Sequence, residues 1–106
     1  MQIQINSDNH TEATHSLIEE LETLLQDRLR RFSSRITRLE VHLTDQNSAA
    51  KGGDDDMRCK IEARLSGMQP VAVSNQAGTV VESVRGAATK LRSLLDSTLG
   101  KLNDRV

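Results

Sequence analysis

The octapeptide TRLEVHLT, Thr37–Thr44, alternates Leu39, Val41 and Leu43 with Arg38, Glu40, His42 and Thr44. Successive side chains of a strand point to opposite faces, so a period of two describes a strand with one apolar and one polar side. The same parity recurs in MRCKIEARL, Met57–Leu65: Cys59, Ile61, Ala63 and Leu65 fall on one side, Arg58, Lys60, Glu62 and Arg64 on the other. At the N-terminus, MQIQIN sets Ile3 and Ile5 against Gln2, Gln4 and Asn6 and gives an earlier strand. After the turn SGMQ, PVAVS gives a short last one. Pro70 has no amide donor, which puts it at that strand's start or on a sheet edge.

Upstream of TRLEVHLT the period changes. Leu17, Leu21, Leu25, Leu29, Phe32 and Ile36 recur every three or four residues, with Ile18 and Leu24 widening the stripe. This spacing predicts one long amphipathic helix. Thr11 is its expected N-cap, acids stand near its start, and arginines fill its last turns, where each charge gains about 0.3–1 kcal/mol from the helix dipole. Downstream, Thr79 and Glu82 have capping-box spacing. The helix they open carries Val80, Val84, Ala87, Ala88, Leu91, Leu95, Leu99 and Leu102 as its apolar stripe, and Gly100 makes its last turns less secure. The order β-α-β-β-β-α predicts an α+β fold: a four-stranded antiparallel sheet with two helices packed on one face and its polar face open. Nothing repeats and no linker divides the chain, so residues 1–106 read as a single domain. DQNSAAKGGDDD, Asp45–Asp56, reads as an exposed, mobile loop.

Composition narrows the function. Phe32 is the lone aromatic in 106 residues, so a site that stacks unpaired bases on aromatic rings is excluded. No run approaches the roughly 20 apolar residues of a membrane span, and the N-terminus has no signal-peptide pattern. A cytoplasmic protein with no membrane partner is expected. The single cysteine, Cys59, allows no internal disulfide and has the parity of a core residue. The histidines, His10, His15 and His42, lack zinc-motif spacing, and the run Asp54–Asp56 lacks the ligand spacing of a calcium loop. No phosphate loop, serine elbow or cofactor motif is present, so neither an enzyme, nor a cofactor, nor a small-molecule substrate is expected.

The net charge of -1 conceals an asymmetry. Residues 8–27 carry six acids and no base, and residues 45–56 carry four acids against Lys51. The remainder holds 13 bases against five acids, the distribution of a surface that faces a polyanion. In DRLRRFSSRITR, Asp27–Arg38, the spacing of Arg28, Arg31 and Arg35 sets them along one side of the expected helix. Arg38, Arg58, Lys60 and Arg64 share the outward face of the sheet. Bases without aromatics suit structured RNA, read through its phosphates and 2′-hydroxyls. The bland alternative is a solvated helix end whose arginine stems cover apolar neighbours.

The order of elements, MQIQINSDN leading into TEA at the first helix, and TKL in the last helix resemble the ribosome hibernation-promoting and ribosome-associated inhibitor proteins, also called sigma-factor modulation proteins. The resemblance runs from Met1 to about Leu102. It implies a short form of that family, without a second, dimer-forming domain, that binds the small ribosomal subunit and its ribosomal RNA and inhibits translation under stress or in stationary phase. By position it assigns RNA contacts to Lys90 and Lys101, and it supports Arg28, Arg31 and Arg35 as bases of the first helix. The chain differs from the family at Thr79, Val80 and Val81, where an Asp, an aliphatic residue and a Tyr are usual, and at Ser97 and Leu99, where lysines are. The competing reading is a protein-interaction or regulatory module on the same fold, without ribosome binding, that engages a protein through its acidic helix start and loop.

Overall fold

The structure, a computed structural model, describes residues 1–8, 11, 13–45 and 57–104, with side chains described as far as Gly100. The elements are β1 (Gln2–Ser7), α1 (His15–Arg28), a 3-10 turn (Arg30–Phe32), β2 (Ile36–Asp45), β3 (Met57–Leu65), β4 (Val71–Ala77) and α2 (Val80–Asp104). The strands lie side by side in the order β1-β2-β3-β4.

The sheet is mixed, which corrects the expectation of a wholly antiparallel one. β1 runs parallel to β2, while β2–β3 and β3–β4 are antiparallel. The physical reason is the crossover: α1 returns the chain to the end where β1 began, so β2 starts in the same direction. A period-two pattern reports faces and carries no information on direction.

One face of the sheet is apolar. Leu39, Val41 and Leu43 of β2 and Cys59, Ile61, Ala63 and Leu65 of β3 are buried there with Leu21, Leu25 and Leu29 from the first helical segment and Val84, Ala87, Ala88, Leu91, Leu95 and Leu99 of α2. Each such leucine contributes roughly 1.5–3 kcal/mol by leaving water. Both helices therefore sit on this face. Cys59 is fully buried at a position a small hydrophobe would occupy, and burial pushes its thiol up to about 12.

The first helix is shorter than its apolar spacing predicts. Its N-cap is Thr14, whose hydroxyl accepts the Leu17 amide at 3.1 Å. Thr11 instead donates its hydroxyl to the Asp8 carboxylate at 2.7 Å, and Asp8 Oδ2 accepts the Asp45 amide, which ties the β1–α1 connection to the end of β2. With the start moved to His15, the first turn has no acid. The helix ends at Arg28, Phe32 lies in the 3-10 turn, and Ile36 opens β2. Leu29, Phe32 and Ile36 are all buried, so the spacing reported burial correctly and conformation wrongly. Ser33 and Ser34, whose hydroxyls compete for backbone groups, and the β-branched Ile36 and Thr37 favour leaving the helix here.

The start of α2 follows the capping pattern with one difference. Thr79 Oγ1 accepts the Glu82 amide at 3.1 Å, but the Glu82 carboxylate takes the Thr79 hydroxyl, also at 3.1 Å, and not a backbone amide. Pro70 stands just before β4, which extends three residues beyond PVAVS, to Ala77. The loop expected within Asp45–Asp56 falls almost wholly outside the described residues; Asp45 itself closes β2.

Candidate nucleic-acid interface

The basic residues divide among three places. The first is the open face of the sheet, where strand register sets side chains in rows. Arg38 stands opposite Arg64, Glu40 opposite Glu62, His42 opposite Lys60, and Thr44 opposite Arg58. On β1 the rows end in Gln2, Gln4 and Asn6. Like charges directly opposite one another are unfavourable, and the face relieves this between rows. Arg38 reaches Glu40 at 3.3 Å, while Lys60 and His42 approach Glu62 at 3.6 and 3.9 Å. Arg38 also donates to the Gln4 side-chain carbonyl. Arg58 and Arg64 are exposed and make no ion pair among the described residues. They are the cations of this face with most freedom to meet an outside anion.

The second place is a groove of about 470 Å³ where α1, α2 and β4 meet. Arg28, Arg85 and Lys90 line it with Asn75, Thr89 and Glu82. Its floor depends on Gly86: a Cβ there would strike the Asn75 side chain, with Cγ 2.7 Å away. Asn75 Nδ2 donates to the Ser83 carbonyl at 3.3 Å, which fixes that amide against the helix. The Lys90 ammonium donates to the Ser74 carbonyl at 2.9 Å while its stem stays exposed. Three cations converging on one depression can hold phosphate oxygens, the arginines in bidentate fashion.

The third is a smaller hollow of about 240 Å³ bordered by Arg31, Arg35 and Asp96. Arg31 pairs with Asp96 at 2.7 Å and lies over the Phe32 ring, 5.1 Å from its centre. Arg35 points an Nη2 donor at Met68 Sδ, 3.8 Å away. Because α1 ends at Arg28, the expected single arginine stripe does not exist. Arg28 faces the groove beside β4, whereas Arg31 and Arg35 serve the hollow near the end of α2, where an intramolecular carboxylate already neutralises Arg31.

Among the expected site residues, the structure therefore gathers Arg38, Arg58, Lys60 and Arg64 on one face and joins Arg28 to Lys90. It separates both sets from Arg31 and Arg35. Lys101 lies in α2, and its side chain is outside the described residues. Sequence reasoning passed over Arg85, exposed in the groove, and Arg92, exposed seven residues on. The signal was available, because Arg85 and Arg92 both fall outside the apolar stripe of α2. Among the described residues no group of three or more His, Cys, Asp or Glu could hold a metal ion, and no helix is long and apolar enough to cross a membrane.

Comparison with known proteins agrees with this architecture. Residues 3–103 match the family described as sigma 54 modulation protein / S30EA ribosomal protein. The Protein Y N-terminal domain of Thermus thermophilus superimposes with a TM-score of 0.71 at 20% identity, over 92% of this chain and 99% of that one. A ribosomal subunit interface protein from Coxiella burnetii gives 0.70 at 14% identity, over 94% and 99%. At such identities the likeness establishes the fold. No curated protein matches the chain by sequence.

Proposed function

The chain belongs to the sigma 54 modulation protein / S30EA ribosomal protein family, and from that premise we propose that it is a ribosome-associated stasis factor. It binds the small ribosomal subunit through ribosomal RNA phosphates and inhibits translation under stress or in stationary phase, acting in the cytoplasm as a single domain. The observation that carries this reading is the groove in which Arg28, Arg85 and Lys90 converge beside an exposed α2 surface. Arg58 and Arg64, without carboxylate partners among the described residues, add a second cationic surface on the open sheet face. Arg38 and Lys60 contribute there less, since Glu40 and Glu62 already draw on them. Both surfaces lack aromatic rings, so they address backbone phosphates of structured RNA and not unstacked bases.

Sedimentation of the protein with purified small subunits, at low and moderate salt, tests the proposal. Co-sedimentation that weakens steeply as salt rises is the expected result. The exposed acids Glu19 and Glu20 on α1 favour a second reading, an interaction module for a basic protein segment. Absence of co-sedimentation at low salt would promote it.

A further inference from the structure

The two edges of the sheet are finished differently. At β4, Pro70 precedes the strand and the Lys90 ammonium occupies the Ser74 carbonyl. Proline and lysine at an edge are devices that keep it from pairing with another chain. β1 has neither. Its six residues, Gln2–Ser7, carry no charge and no proline, and among the described residues the strand pairs with β2 alone. The apolar margin along it is only half covered: Met1, Ile3, Ile5, Leu17 and Leu24 pack against the core without being enclosed. Met1 and Leu24 line an open groove of about 590 Å³ beside α1.

We propose that β1 is a self-pairing edge, through which two copies of this chain join antiparallel about a two-fold axis at Gln4 to form one eight-stranded sheet. The occupant follows from the strand itself. In an antiparallel pair, directly opposite residues point to the same face, so only registers that match parity are allowed. Two of these are equally long within Gln2–Ser7: the one about Ile5 would set Ile3 against Ser7, whereas the one about Gln4 sets Gln4 against its counterpart, Gln2 against Asn6 and Ile3 against Ile5 of the second copy. Amides meet amides on the open face, isoleucines meet isoleucines on the helix face, and no charge is brought against a like charge. The isoleucine contacts extend each copy's half-covered margin into a shared apolar layer. The contact is one strand wide and roughly 20 Å long, below the ~1,200 Å² at which complexes become stable. The dimer is therefore weak and concentration-dependent. This inference is independent of ribosome binding.

Two measurements test it. Sedimentation equilibrium from about 10 μM to about 1 mM should show mass rising from one copy towards two. Gln4→Glu keeps an acceptor for Arg38 within the chain but sets two carboxylates face to face across the axis, and should weaken association by about two- to fivefold. The register is read by crosslinking with oxidised glutathione. Gln4→Cys brings two thiols to Cα positions about 4.5–5.5 Å apart, within disulfide reach, and should give a covalent dimer. Gln2→Cys, offset four residues from its counterpart, should not. Wild-type protein that stays monomeric throughout the range overturns the proposal, as does a dimer that Gln4→Glu leaves unchanged or one that crosslinks through Gln2→Cys as readily as through Gln4→Cys. Circular dichroism of each variant excludes misfolding as the cause of weakened association.

Discussion

Replacing Gly86 by Ala should reverse the usual effect of that substitution in a helix. In a helix interior, alanine is favoured over glycine by about 0.8–1 kcal/mol, so propensity alone predicts stabilisation. Here the added Cβ collides with the Asn75 side chain, whose Cγ would lie 2.7 Å away. Asn75 must swing aside and give up its bond to the Ser83 carbonyl, at a cost of about 0.5–1.5 kcal/mol. Residual overpacking between α2 and β4 adds about 1–3 kcal/mol. Set against the propensity gain, the net is a loss of about 0.5–4 kcal/mol. For a domain of this size that lowers the melting temperature by roughly 4–8 °C for each kcal/mol. The control is the same substitution in an Asn75→Ala background, where the obstacle is gone and Gly86→Ala should stabilise by about 1 kcal/mol. Urea unfolding of the four proteins in this double-mutant cycle measures both effects. If Gly86→Ala has the same sign in both backgrounds, the reasoning is refuted, because close approach of Asn75 to the helix would not be what requires glycine.

The combined variant Arg28→Gln, Arg85→Gln, Lys90→Gln should make the logarithmic salt dependence of small-subunit binding shallower by about 0.7–0.9 for every phosphate it no longer neutralises, read from sedimentation across a salt series. Arg31→Gln should change that slope little, since Asp96 already holds the guanidinium, and should cost at most about 1 kcal/mol in urea unfolding. Cys59 should react with a thiol reagent at pH 8 on the order of 10³-fold more slowly in the folded protein than in denaturant, because only the thiolate attacks and burial raises its pKa to about 12. The same shift favours the neutral thiol in the folded state, so its stabilising contribution declines as pH rises above the unfolded cysteine's value, at up to about 1.4 kcal/mol per unit, and Cys59→Ala should remove that part of the alkaline loss in a pH series of unfolding curves. Thr79→Ala should cost about 0.5–2 kcal/mol by removing the α2 cap, measured by thermal unfolding.

Much of the fold was legible because burial imposes a period on each element. The parity of TRLEVHLT and MRCKIEARL determined which residues of β2 and β3 enter the core, and it placed Arg38, Arg58, Lys60 and Arg64 on the open face. The same parity put Cys59 inside, and the Thr79–Glu82 spacing fixed the start of α2. Period alone, however, records which side chains face the core and not the backbone that carries them there. Leu29, Phe32 and Ile36 kept helical spacing through a 3-10 turn and into a strand, since all three point into the same core. For that reason the apolar spacing alone did not mark the end of α1 or the arrangement of Arg28, Arg31 and Arg35. The direction of β1 relative to β2 was also decided by the crossover, which leaves no mark on the alternation of either strand. The groove of Arg28, Arg85 and Lys90 joins residues up to 62 positions apart, and only the packing of α2 against both α1 and β4 brings them together. Local sequence determines burial because each side chain meets solvent or core on its own account, whereas a charged site exists only where separate elements converge.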